Sequence, residues 1–131
     1  MSASRYAAVQ DAATSPRDLE IRAFHYVNGL LAGAREGGVP ARIAALHKAH
    51  RLWSILVADL LGEGNRLPAE LKGRIVSLGL WAQRESLARM DDTSSLEPLM
   101  ALHRDMIEGL EAQSDTLRPP SAPGAFAPAA A

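Results

Sequence analysis

The sequence predicts an all-α fold, a compact antiparallel bundle of four main helices plus a short N-terminal helix, and three observations predict it. Apolar residues recur with the 3.6-residue period of a helix along several segments, and nowhere do they alternate with period two. Those segments are punctuated by proline at their starts and glycine at their stops. Hydrophobic residues make up 47% of the 131 residues, enough to build a core. One helical domain over residues 1–115 is expected. A Pro/Ala-rich tail over 116–131, with half of the eight prolines, is expected to be disordered.

Residues Ser4 to Ala13 read as a short helix with Tyr6, Val9 and Ala13 on one side. The first main helix starts at Thr14-Ser15-Pro16-Arg17-Asp18, a hydroxyl cap before proline, with Asp18 and Glu20 where the helix dipole favours negative charge. It runs to about Ala34, aligns Phe24, Val27, Leu30 and Leu31, and is broken by Gly37-Gly38. The central helix, Ala41 to Leu61, follows Pro40. Its apolar arc gathers Leu46, Trp53, Val57 and Leu60, flanked by Ile43, Ala45, Ala49, Leu52, Leu56 and Leu61, with His50 as the polar side chain inside it. Gly62 to Pro68 is a tight connector in which glycine and asparagine tolerate positive φ.

The next helix, about Ala69 to Met90, carries two apolar stripes. Leu71, Ile75, Leu78 and Ala82 form one, and Val76, Leu80 and Leu87 form another on a rotated side. Gly79 lies between them, where it permits close helix crossing. The last helix follows a capping box, Ser94 to Glu97, and runs to about Asp115 with His103 central on its apolar face.

The formal net charge of −1 argues against a strong electrostatic grip on nucleic acid or anionic membrane. Arg42, Lys48 and Arg51 form only a loose basic side, read as a solvated helix face. There is no cysteine, no apolar run long enough to span a membrane and no signal-peptide pattern at the N-terminus, so a cytoplasmic protein is expected. The four histidines lack the spacing of a zinc site, and no Glu-x-x-His, Gly-x-Ser-x-Gly or phosphate-binding glycine loop occurs. The chain is therefore expected not to be an enzyme, with no catalytic, metal or cofactor-binding residues.

Tyr6-x-x-Val9, then Ser15-Pro16-Arg17-Asp18-Leu19-Glu20, His50-Arg51-Leu52-Trp53, Asn65-Arg66-Leu67-Pro68 and Glu108-Gly109-Leu110 resemble, in order and spacing, the FlaF family. These are flagellar biosynthesis regulators of alphaproteobacteria. The resemblance departs from the family pattern at His50 and His103, where asparagine is usual. It implies a cytoplasmic regulator that binds flagellin as a chaperone and supports its synthesis and secretion for filament assembly. Post-transcriptional action on flagellin messenger RNA or through the repressor FlbT is an alternative, as is a structural adaptor to FlbT or to flagellar export components. It also implies structural roles for the matching positions Ser15, Pro16, Arg17, His50, Trp53, Asn65, Leu67, Pro68 and His103.

Part of the second stripe is expected to stay accessible and bind a partner through Val76, Leu80 and Leu87, together with Trp81, which lies beside the first stripe; the alternative is that the N-terminal helices cover the second stripe. Trp53 is expected to be buried and Trp81 less so. His50 and His103, each at the heart of its own apolar arc, are expected to meet across a helix seam.

Overall fold

The computed structural model describes residues 15–117, and the expected N-terminal helix and nearly all of the expected tail lie outside them. Within that span the chain forms α1 (Pro16–Leu61), α2 (Ala69–Ala88), a single 3-10 turn (Arg89–Asp91) and α3 (Glu97–Leu117). No strand occurs among the described residues. The count of four main helices is not matched, because the first two expected helices are one 46-residue element, α1.

That element is nonetheless bent back on itself. Gly38 has φ 82° and ψ −174°, outside helical geometry, in a region that side-chain-bearing residues avoid. Phe24 and Trp53 then meet edge to face at 5.5 Å, whereas 29 residues of straight helix would hold them about 43 Å apart. α1 is thus a hairpin of two arms, residues 16–37 and 39–61. Pro40 falls in the opening turn of the second arm, where its missing N–H breaks no helical bond.

The start of α1 is as the sequence predicts, with Ser15 Oγ accepting from the Asp18 N–H at 3.1 Å. Gly62 ends the hairpin in an extended conformation, φ −76°, so the connector does not use the expected positive φ; among the described residues Gly38 alone has one. Asn65 organises the connector instead. Its Oδ1 accepts from Leu67 N–H at 3.0 Å, its Nδ2 donates to Asp59 at 3.2 Å, and its carbonyl accepts from Lys72 Nζ at 3.1 Å. Pro68 then caps α2 without a side-chain bond.

α2 packs on the second arm of the hairpin. A Cβ built on Gly79 would lie 2.5 Å from Val57 Cγ2 and 3.0 Å from Trp53 Cε3, so glycine is what lets these helices touch. The turn after α2 is fastened back to the hairpin by Arg42, which donates to Arg89 O at 3.0 Å and to Ser94 O at 2.7 Å and also reaches Asp92. The sequence reading placed Arg42 on a solvated basic face; it is an internal clamp. The expected Ser94–Glu97 capping box does not form. Ser95 Oγ accepts from Glu97 N–H at 3.0 Å, and the Glu97 carboxylate pairs with Arg104. α3 continues to Leu117, two residues into the expected tail.

The core gathers Phe24, Val27 and Leu31 from the first arm, Leu46, Ala49 and Trp53 from the second, Ala82 from α2, and Leu96, Leu99 and Ile107 from the end of the chain. Ile43 and Leu61, expected on the apolar face, are exposed.

Candidate functional site: a sealed polar seam, an open groove and an exposed stripe

His103, fully buried, is held from both sides. Trp53 Nε1 donates to its Nε2 at 2.9 Å, and its Nδ1 lies 2.8 Å from Asn28 Oδ1. An indole nitrogen only donates, so Nε2 must be the unprotonated nitrogen and Nδ1–H must donate to Asn28. Asn28 Nδ2 passes the chain on to Met100 O at 3.0 Å. The Phe24 and Trp53 rings cover the imidazole at centroid distances of 5.3 and 6.0 Å. Burial pushes the His103 pKa down to about 4, and a proton on Nε2 would also face the indole N–H.

The expected His50–His103 contact is overturned by this arrangement. Both nitrogens of His103 are taken, and the His50 ring lies in none of these contacts. His50 is half-buried, and its backbone carbonyl accepts from Ser54 Oγ at 2.8 Å. Sequence reasoning missed Asn28. The available signal was an asparagine in a helix interior, where its propensity is poor unless its amide is used.

At the opposite end of the hairpin from Gly38 lies a groove of about 580 Å³. The start of α1, the end of its second arm, the connector, the first turns of α2 and the later turns of α3 all reach it. Leu56, Leu67, Leu71, Ile75, Met106 and Leu110 give it an apolar lining. Glu20, Asp59 and Asp105 stand on its walls with Arg17 and Arg66. Burial raises the Glu20 carboxyl above its ordinary value of 4.5, the negative charge of Asp59 raises it further, and Arg17 pulls it back. Of the expected structural positions, Ser15, Pro16, Arg17, Asn65 and Leu67 line this groove. Pro68, exposed, is at the start of α2 beside it, whereas Trp53 and His103 belong to the seam.

The expected partner-binding positions fall on α2 as anticipated in register and differ in exposure. Leu80 and Leu87 are 43% and 50% exposed, whereas Val76 and Trp81 are half-buried. Trp53 is fully buried, so the two tryptophans stand in the expected order. Of the first stripe, Ala82 is buried beside Gly79 and Ser86 and Ile75 packs against the core, whereas Leu78 is 42% exposed. Among the described residues, no three His, Asp or Glu side chains gather to hold a metal ion, and no helix is long and apolar enough to cross a membrane.

The class these features define is an all-α protein with two apolar surface features, a groove at one end of a helical hairpin and a leucine stripe on the helix packed against it. The family model described as flagellar protein FlaF matches residues 2–110, and the chain belongs to the FlaF family. No curated protein and no solved structure matches it.

Proposed function

We propose that this flagellar protein is a flagellin-binding chaperone that acts by contact and not by catalysis, in the cytoplasm before filament assembly. The observation that carries the reading is the pair Leu80 and Leu87, one heptad apart on α2 and each close to half exposed. Leucines at this spacing present a strip that an amphipathic helix can cover, and segments that become buried only on assembly need such cover beforehand. Val76, half-buried one turn before Leu80, extends the strip, whereas Trp81 turns toward the core.

The alternative in which the protein grips flagellin messenger RNA finds less support. Arg42, one of the three basic residues on the central helix face, spends its guanidinium on Arg89 O, Ser94 O and Asp92. Lys48 and Arg51 are left as a dilute pair, short of the several phosphate contacts that RNA affinity requires.

Calorimetry with monomeric flagellin tests the proposal on the full chain and on Leu80→Glu/Leu87→Glu. The expected result is binding by the parent and its loss in the double variant at an unchanged Tm. No binding by the parent, or binding that the double variant retains, overturns it.

A further inference from the structure

The groove between the start of α1 and the later turns of α3 points to an occupant that the chain itself carries. We propose that it is the seat of residues 1–14, with Tyr6 and Val9 on its apolar lining and Arg5 over the acidic wall. Three observations converge. Ser15, where the described structure begins, is itself a wall of the groove, so the preceding residues start at its mouth. From Ser15 back to Val9 is about 9 Å if helical, so that side chain needs no long excursion to reach the lining. The apolar residues match in kind, since Tyr6 and Val9 are three apart and fall on one helical face.

Charge gives a further argument. Three acids, Glu20, Asp59 and Asp105, face two arginines, Arg17 and Arg66, across the groove. Asp59 lies close enough to disfavour the charge of the half-buried Glu20. An additional cation there is favourable, and Arg5 is the basic residue among the first fourteen. Tethering supplies the rest, because a short linker gives a millimolar-scale effective concentration and a modest intrinsic affinity suffices. This inference stands apart from flagellin binding, which was assigned to the stripe on α2.

Because the chain has no cysteine, engineered pairs report proximity without background. Val9→Cys is combined in the full chain with Asp105→Cys, on the groove wall. The comparison pair combines it with Glu111→Cys, also exposed on α3 but lining a separate depression with His25 and Arg104. Mild oxidation should give an intramolecular disulfide at 105 roughly tenfold faster or more than at 111, as a seated segment and not a freely sampling tether would. Tyr6→Asp in the first pair should bring its rate down to that of the second. Equal rates for the two pairs, or a rate indifferent to Tyr6→Asp, overturns the proposal. A covalent dimer as the main product overturns it too, since the groove would then take the segment of a second copy.

Discussion

Two regions of this molecule place polar groups among apolar side chains, and they do so in opposite ways. In the seam at Trp53, every polar atom has a complementary partner: indole N–H to imidazole, imidazole to the Asn28 amide, amide to the Met100 carbonyl. In the groove at the other end, Glu20 is half withdrawn from water beside another carboxylate. A satisfied buried network fixes one arrangement of helices; both arms of α1 and α3 are locked in register by one imidazole. A like-charged pair over an open apolar lining fixes nothing and favours whatever brings a cation and an apolar face. Architecture sits in the first region, and the proposed seat of residues 1–14 in the second.

The largest expected effect breaks the sealed region outright. Trp53 has no exposed surface, meets Phe24 and His103, and donates the hydrogen bond that sets the imidazole tautomer. Trp53→Ala should cost about 3–5 kcal/mol in denaturant unfolding. A loss below about 1 kcal/mol, the scale of an ordinary surface change, would mean that the seam does not organise the fold.

The second effect is a pH dependence with a definite window. His103 has an unfolded value near 6.5 and a folded value pushed down to about 4, so between these the unfolded chain binds the proton and the folded one does not. The contribution is fully present above pH 6.5 and is lost as pH falls toward 4. A shift of this size is worth about 3 kcal/mol at roughly 1.4 kcal/mol per unit. Denaturant midpoints should fall across that window in the parent and in His50→Asn, and flatten in His103→Asn. Parallel curves for parent and His103→Asn would remove His103 from the acid response.

Third, two glycines of α2 should respond to alanine with opposite signs. At Gly73 an added Cβ meets nothing within 4 Å, so Gly73→Ala should stabilise by about 1 kcal/mol through helix propensity. At Gly79 the same Cβ runs into Val57 and Trp53. Overpacking costs about 1–3 kcal/mol, so the propensity gain of about 1 kcal/mol is outweighed. Thermal unfolding of the two variants checks this, and equal signs would mean that the α1–α2 contact is slack.

Much of the sealed region was legible in the sequence and little of the groove was. Trp53 announced itself by its place in a 3.6-period arc, and Gly79 by lying between two stripes, because burial leaves a periodic signature. The hairpin could be read only as two helices, since Gly37-Gly38 signals a break while Gly38's single non-helical residue leaves the element continuous in its hydrogen bonding on either side. His50 and His103 looked equivalent because each was central to its own helix. Which of them meets the seam depends on how three helices rotate about one another, and a periodicity carries no such phase. The groove was illegible for the same reason. Glu20 reads as a favourable first-turn charge, and only the hairpin brings it into one wall with Asp59, 39 positions on.

The smallest expected effect sharpens the comparison on the groove's side. Glu20 has its carboxyl raised above 4.5, first by burial and then by Asp59. The sign is opposite in consequence to that of His103. Over the range above 4.5 the folded chain holds the Glu20 proton more tightly than the unfolded one, so this group's contribution falls as pH rises through that range and the penalty is complete above the folded value. At neutral pH the ionised Glu20 is therefore a small liability. Glu20→Gln should raise stability by less than about 1 kcal/mol, because Glu20 is only half-buried and solvent screens its charge. The same change should weaken the seating of residues 1–14 if Arg5 answers this charge, slowing the 9–105 disulfide while Tm rises. A slower cross-link at a higher Tm separates a charge kept for an occupant from one kept for the fold. A lower Tm would show instead that Glu20 stabilises the hairpin, and the contrast between the two regions would fail at that residue.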